Sequence, residues 1–302
     1  MSKPLISVIT VTRNLIEAGR SETMRAALDC VQAQSFRGLE HVIWDGASTD
    51  GTQSLLQAWQ AEFSADATAI PIICQSDADS GLYDAMNKAV GLASGDYVIF
   101  LNSDDSLASD DILRELAAIV QSDRPDFVYG GTLQTLGDGS TRNHSRTNLS
   151  AFLQRMPFCH NSMLVRRDVF LALGGHDLSY RVASDYDFVF RMLMEGHSGA
   201  GTKLPVSKFS ARGVSANVLG VARDYAEVWS RYFGQMAGCG KIDSDTTLNW
   251  YRTGQLPVSM CRAALRAAKG NDIMRRAALH SLKITMRRRM QPWRKWDYLK
   301  GA

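Results

Sequence analysis

The stretch Gly95-Asp96-Tyr97-Val98-Ile99-Phe100-Leu101-Asn102-Ser103-Asp104-Asp105 constrains this chain more than any other. Tyr97 to Leu101 is apolar on both faces and too short for a helix, so it reads as a central buried strand. It stops at two adjacent carboxylates, Asp104 and Asp105, which places them at the strand's carboxyl end. In open α/β sheets ligands bind at that edge, and paired acids there can hold a divalent cation against a phosphorylated ligand. The competing reading makes both acids caps of the helix beginning near Asp110. They precede that helix by several residues, however, and a cap needs only one.

The chain before this strand repeats one pattern. Leu5 to Val11 reads as a strand ending in the polar loop Thr12-Arg13-Asn14, before a helix over about residues 21–34. Leu39 to Trp44 is a second strand, closing on Asp45-Gly46-Ala47-Ser48-Thr49-Asp50-Gly51-Thr52. The helix that follows carries Leu55, Leu56, Trp59 and Phe63 at helical spacing. Ile70 to Cys74 is a third strand, Leu82 to Ala93 a helix, 110–121 another, and Phe127 to Gly131 a fifth strand. Single helices between strands predict parallel pairing through right-handed crossovers, hence a doubly wound sheet. The loops after strands one, two and four then open on one edge, gathering Thr12, Arg13, Asn14, Asp45, Asp50, Asp104 and Asp105. A carboxylate there can accept from a base N–H or a ribose hydroxyl, and Arg13 can meet phosphate.

Other nucleotide-binding classes lack their signatures. A dinucleotide-binding oxidoreductase needs G-x-G-x-x-G after the first strand and a P-loop enzyme G-x-x-x-x-G-K-[ST]. Thr12-Arg13-Asn14 contains no glycine, which also argues against a nucleotidyltransferase with its Gly-rich phosphate loop. The five cysteines form no C-x-x-C pair and read as free thiols of a reducing compartment. No apolar run is long enough for a membrane span and Met1-Ser2-Lys3-Pro4 leads straight into a strand, so a cytoplasmic location is expected.

With these residues assembled, the chain resembles the family 2 glycosyltransferases, bacterial exopolysaccharide and colanic-acid types among them, whose fold is GT-A. The matching stretches are Ser7 to Asn14, Asp45 to Thr52, Asp79 to Ala89, Leu101 to Asp105 and Ala183-Ser184-Asp185-Tyr186-Asp187-Phe188. Together they span about residues 5–215 in the family's order. The resemblance implies an α/β fold with a Rossmann-like, mostly parallel sheet. It implies that Thr12 and Asp45 lie against the donor nucleotide, with Asp45 on the base. Asp104 and Asp105 stand for the family's DXD acids, Asp104 near ribose and diphosphate and Asp105 as the foremost ligand of Mg²⁺ or Mn²⁺. The chain departs from the common form at Asn102, where many members have the first acid.

Asp79 and Asp84 are expected to reach the donor sugar or ribose, although Asp84 and Lys88 also suit an i, i+4 salt bridge. Residues 132–150 are turn-rich and predict a hairpin or loop. A short helix over 149–155, then Pro157 to Ser162, lead into the strand Met163 to Val165. In related enzymes a His at the place of His160 lies near the active site. A helix starts at Ser184, and on it Asp185 and Asp187 point about 200° apart. Ser184 and Asp187 resemble a capping box, which gives Asp187 a structural role and leaves Asp185 as the family's catalytic base. Arg212, in a loop resembling the one that closes the catalytic domain, is a candidate diphosphate contact.

Past residue 220 the motifs give way to helical patterns, so the expected division is a catalytic domain over 1–218 and a helical extension over 219–302. The net charge is +3, yet residues 260–302 hold twelve Lys/Arg against Asp272 and Asp297, a local +10 that leaves −7 on the rest. Basic residues interleaved with Trp293, Trp296 and aliphatics suit an anionic membrane surface, with a solvated helix pair or a dimer contact as alternatives. Nucleic acid is not expected, because no recognition motif accompanies the charge. The chain is thus expected to be an inverting, metal-dependent hexosyltransferase. It would use a nucleotide-diphosphate sugar and a hydroxyl acceptor such as a lipid-linked saccharide, at the inner face of the membrane. A non-catalytic nucleotide-sugar-binding protein and a sugar nucleotidyltransferase are the alternatives.

Overall fold

The computed structural model describes residues 3–136, 138–143, 147–210, 218–236 and 240–291, together with Asp297 and Leu299. The chain divides into two compact units. One is made of Met1–Thr147, Phe158–His176 and Ser198–Ala211, the other of Asn148–Pro157, Asp177–His197 and Arg212–Ala302.

The first unit begins with β1 (Ile6–Thr12), α1 (Ser21–Gln32), β2 (Leu39–Asp45), α2 (Thr52–Ser64), β3 (Ile72–Ser76), α3 (Leu82–Leu92) and β4 (Tyr97–Phe100). It continues with β5 (Ser106–Leu107), α4 (Ile112–Asp123), β6 (Phe127–Thr135), β7 (Thr141–Asn143), β8 (Met163–Arg166) and α5 (Arg167–Ala172). After α6 (Ser184–Met194), which belongs to the other unit, the chain returns for β9 (Gly199–Ser210). The strands make one sheet in the order β3-β2-β1-β4-β8-β6-β9-β5, with β7 hairpinned onto β6.

Every residue of β1, β2 and β4 is buried, as expected of strands covered on both faces. Ile6 and Val8 pack with Ala27 and Val31 of α1 and with Leu113, Leu116 and Val120 of α4. Each Val, Leu or Ile side chain among them contributes about 2 kcal/mol by leaving water. Leu15, Met24, Leu28, Ile43 and Leu56 form a second cluster under α1 and α2. Polar residues inside these strands are paired. Glu40 accepts from Ser7 Oγ, from Ser94 N and Oγ, and from Gly95 N, fixing the entry into β4.

The parallel core β3-β2-β1-β4 forms as predicted, but the sheet beyond it differs from a simple doubly wound order. β8 lies between β4 and β6 and runs antiparallel to both, with Ile99 opposite Leu164 and Val128 opposite Leu164. β6 is therefore parallel to β4 without touching it. The short helix predicted over 149–155 is a 3-10 turn at Leu149–Ala151.

The second unit is helical. It holds α6, α7 (Val218–Gly234), α8 (Ser244–Thr253), α9 (Val258–Ala267) and α10 (Asp272–Arg289). Its centre is aromatic: the Tyr186 and Tyr225 rings stack at 3.9 Å, and Trp229 Nε1 donates to Tyr186 Oη at 2.9 Å. Tyr186 Oη in turn donates to Phe152 O at 2.6 Å. Asn271 joins two helices, accepting from Met274 N as the N-cap of α10 and donating to Leu193 O and Met194 O at the end of α6. Among the described residues no helix is long and apolar enough to cross a membrane. Trp293, Trp296 and Arg212 lie outside the described residues.

Candidate active site

The carboxyl edge of the parallel strands carries the site. Thr12 is registered opposite Asp45, and Asp45 opposite Ser76, so one row crosses β1, β2 and β3 at their ends. Asp45 has no exposed surface, and its carboxylate accepts from Ser48 N at 3.0 Å, from Ser48 Oγ, and from Ser76 Oγ at 2.6 Å. A carboxylate has about four acceptor positions, so these three bonds leave one unused. Thr12 is 8% exposed and its Oγ1 is buried without a hydrogen-bond partner among the described residues. An unsatisfied buried hydroxyl costs about 1–3 kcal/mol, which a ligand that bonds it relieves.

The loops around this row are tied to each other. Asn14 adopts φ +48°, donates its backbone N–H to Ser48 Oγ at 2.7 Å, and accepts from Thr49 N at 3.2 Å. It therefore joins the loops after β1 and β2, while Arg13 beside it is exposed. Asp50 accepts from Glu17 N and from Thr52 N and Oγ1. Desolvation is the largest single influence and raises its pKa, but these bonds together outweigh it and bring the carboxyl down to about 2, marking a loop-fixing residue. Asp79 lies over Gly46, where a Cβ would meet its Oδ2 at 2.5 Å, and it accepts from Trp44 Nε1 at 3.2 Å. Only glycine at position 46 lets that carboxylate approach.

Asp84 is engaged locally. Ser80 N donates to it at 2.8 Å and Lys88 pairs with it at 3.0 Å. Burial pushes its carboxyl up, but the Ser80 and Lys88 bonds prevail and hold it below the ordinary carboxylate value. Lys88 also donates to Ala78 O at 2.7 Å and sits 5.7 Å from the Trp44 ring centroid, so it closes the Asp79 turn back onto β2.

Asp104 and Asp105 follow β4, and neither caps α4, whose N-cap is Asp111. Asp104 is half-buried and Asp105 8% exposed. Oδ2 of Asp105 accepts from Asn102 Nδ2 at 2.9 Å and from Asn161 Nδ2. Asn102 thus steadies Asp105 where an aspartate would repel it. Asn161 arrives in the turn His160–Ser162 that enters β8, and the antiparallel register of β8 carries that turn to the acidic end of β4. His160 comes on the same turn, its ring centroid 6.5 Å from that of Phe100. Asn161 was not among the sequence candidates. Its only signal was adjacency to His160.

Oxygen donors of this kind suit Mg²⁺ or Mn²⁺. Asn161 Oδ1 is buried without a hydrogen-bond partner among the described residues, next to the Asp105 carboxylate that Nδ2 of the same amide meets. Among the described residues no group of three or more His, Cys, Asp or Glu could hold a metal ion. The donor set fits the magnesium mode, in which one or two carboxylates act with substrate phosphates.

Below the acids lies a buried relay. Thr10 Oγ1 donates to Leu101 O at 2.8 Å and meets His41 Nε2 at 2.8 Å. Because the hydroxyl proton goes to Leu101, His41 donates from Nε2, a role open to both charge states, and it is burial that keeps the ring neutral. Burial brings its pKa down to about 3.

In the second unit the two acids of α6 separate as expected, for a different reason. Ser184 makes no capping box, since Ala183 is the N-cap and Ser184 Oγ donates to Asp177 O. Asp187, with no exposed surface, accepts from Arg191 Nε and Tyr232 Oη, both at 2.8 Å. Asp185 is half-buried in the first turn of α6, where Tyr186 N donates to it at 2.9 Å.

A mostly parallel sheet whose carboxyl edge gathers Thr12, Asp45 and the Asp104–Asp105 pair is the arrangement of the GT-A glycosyltransferases. The chain belongs to glycosyl transferase family 2, whose sequence profile matches residues 7–184. A PGL/p-HBAD biosynthesis glycosyltransferase of Mycobacterium bovis is 34% identical over 192 residues, 63% of this chain and 70% of the relative. Among solved structures, S. aureus TarS 1-349 in complex with UDP-GlcNAc superposes with a TM-score of 0.61 at 14% identity, over 95% of this chain and 92% of that one. The mannosyltransferase PcManGT of Pyrobaculum calidifontis in complex with GDP-Man and Mn²⁺ gives 0.60 at 20% identity, over 98% and 84%. The fold is shared with both.

Proposed function

We propose that this glycosyltransferase moves a hexose from a nucleotide-diphosphate sugar to a hydroxyl acceptor with inversion at the anomeric carbon. The observation that supports this best is the row Thr12–Asp45–Ser76 beside the Asp104–Asp105 pair on one sheet edge. Thr12 and the remaining acceptor position of Asp45 take the nucleotide, with Asp45 on the base. Arg13, Asn14 and Asp79 border it, and Asp84 steadies the Asp79 turn. Asp104 lies toward the ribose and diphosphate, and His160 is a donor contact. Arg212 is a candidate partner of the diphosphate.

Asp105, with Asp104, would hold Mg²⁺ or Mn²⁺, which when bound supplies positive charge to the departing diphosphate. Asn102 and Asn161 orient Asp105. Asp185 accepts the proton of the acceptor hydroxyl as it attacks the anomeric carbon from the face opposite the leaving group. Base assistance of this kind is worth about 100- to 10,000-fold.

In this reading residues 1–218 carry the chemistry and 219–302 extend it. The acceptor is a lipid-linked saccharide, and the basic C-terminal region holds the enzyme at the inner membrane face. The Mycobacterium bovis relative is named for PGL/p-HBAD biosynthesis, which supports a biosynthetic role for the transfer. A thermal-shift screen of nucleoside diphosphates with Mg²⁺ or Mn²⁺ tests the donor site. A cognate ligand at 100 times its dissociation constant adds about 2.7 kcal/mol, and no shift with any nucleotide contradicts the reading.

A further inference from the structure

The exposed face of α10 has a composition its packing role does not require. Met274, Ala277, Ala278, Ser281 and Thr285 are buried in the second unit. On the other side Leu279 is 48% exposed, Met286 48% and the C-cap residue Met290 73%. At about 100° per residue, Leu279, Lys283, Met286 and Met290 fall along one line, with Arg276 and Arg287 on one flank and Arg275 on the other. Arg275, Arg276, Lys283, Arg287 and Arg289 are all exposed, against one exposed acid of this helix, Asp272. His280, at the border of this face, is pushed down by burial and then by the charges of Arg155 and Lys283, so positive potential extends beyond the helix itself.

We propose that this face docks on an anionic lipid surface, with Leu279, Met286 and Met290 at the boundary of headgroups and acyl chains and the flanking cations on the headgroup charges. The inference rests on the membrane reading above and gives it an element and a lipid chemistry. A row of large apolar side chains bordered by Arg and Lys is what an interfacial helix presents. The same patch on a second copy would set like charges against each other. A nucleic acid would satisfy the cations but not the apolar row.

The test is sedimentation of the full chain with phosphatidylcholine vesicles, with and without phosphatidylserine. The expected result is binding that requires phosphatidylserine and weakens as salt is raised. The triple variant Arg276→Glu, Lys283→Glu, Arg287→Glu should lose at least about a hundredfold in vesicle affinity, the loss of three cations alone supplying that much. The pair Leu279→Ser, Met290→Ser should lose about tenfold, at high and low salt alike. All these positions are exposed or flank the packed face, so nucleotide-induced thermal stabilisation serves as the control for folding. Absence of phosphatidylserine-dependent binding, equal binding to phosphatidylcholine alone, or a folded triple variant that binds like the parent overturns the proposal. Vesicle binding that persists in a chain no nucleotide stabilises would instead count against the donor-site reading alone.

Discussion

At the scale of single residues, the site is a set of carboxylates whose partners decide their work. Asp187 and Asp185 stand two residues apart, yet Asp187 is enclosed by Arg191 and Tyr232 while Asp185 is half-buried in the first turn. Replacing Asp187 by Ala strands a partly buried guanidinium and should cost about 3 kcal/mol of stability, read by denaturant unfolding. Asp185→Ala removes a bond to Tyr186 N in the first turn of α6 and should cost about 1 kcal/mol, less than Asp187→Ala. Asn161→Ala removes one of the two amides that orient Asp105. It should raise the Mn²⁺ concentration needed for half-maximal transfer several-fold, and an unchanged metal titration would show that Asn161 only packs.

Elements explain which of these roles could be read in advance. Strands β1, β2 and β4 announce themselves as short apolar runs stopped by polar loops, and their shared direction follows from the helices between them. The sequence alone therefore puts Thr12, Asp45 and Asp105 on one edge. The antiparallel insertion of β8 was not legible, because Met163-Leu164-Val165 is apolar in either direction. With it went the role of Asn161, which depends on that reversal. Asp187 reads as half of a capping box because the local pattern allows one, while its observed partners are Arg191 one turn on and Tyr232, 45 residues away on α7. Local spacing cannot reveal a partner on a distant helix.

The register of β1, β2 and β4 also brings Thr10, His41 and Leu101 together under the acids. His41 titrates near 3 in the folded chain against about 6.5 when unfolded, so below pH 6.5 the unfolded state takes up a proton that the folded state refuses. Its contribution to stability is complete above pH 6.5 and falls by about 1.4 kcal/mol per pH unit as the pH drops toward 3. His41→Gln, whose amide donates without titrating, should flatten the fall of Tm between these limits. Equal slopes in parent and variant would count against the neutral-His relay.

On the scale of the whole molecule, the sheet unit carries the donor-side acids, while the helical unit carries Asp185 on α6 and the exposed cations on a different helix, α10, so the two roles fall on different residues. Acid-dependent chemistry and surface attachment should therefore be separable by mutation. Charge reversal on α10 should leave transfer to a soluble acceptor at the parental rate. Asp105→Ala should abolish transfer without changing vesicle binding. The most direct measurement is a transfer assay with a stabilising nucleotide sugar and Mn²⁺, following the anomeric configuration of the product by NMR in the parent and in Asp185→Ala. The expected result is an inverted linkage with release of nucleoside diphosphate, and a loss of about 100- to 10,000-fold in the variant. Retained configuration, release of pyrophosphate, or an Asp185→Ala enzyme as fast as the parent would contradict it.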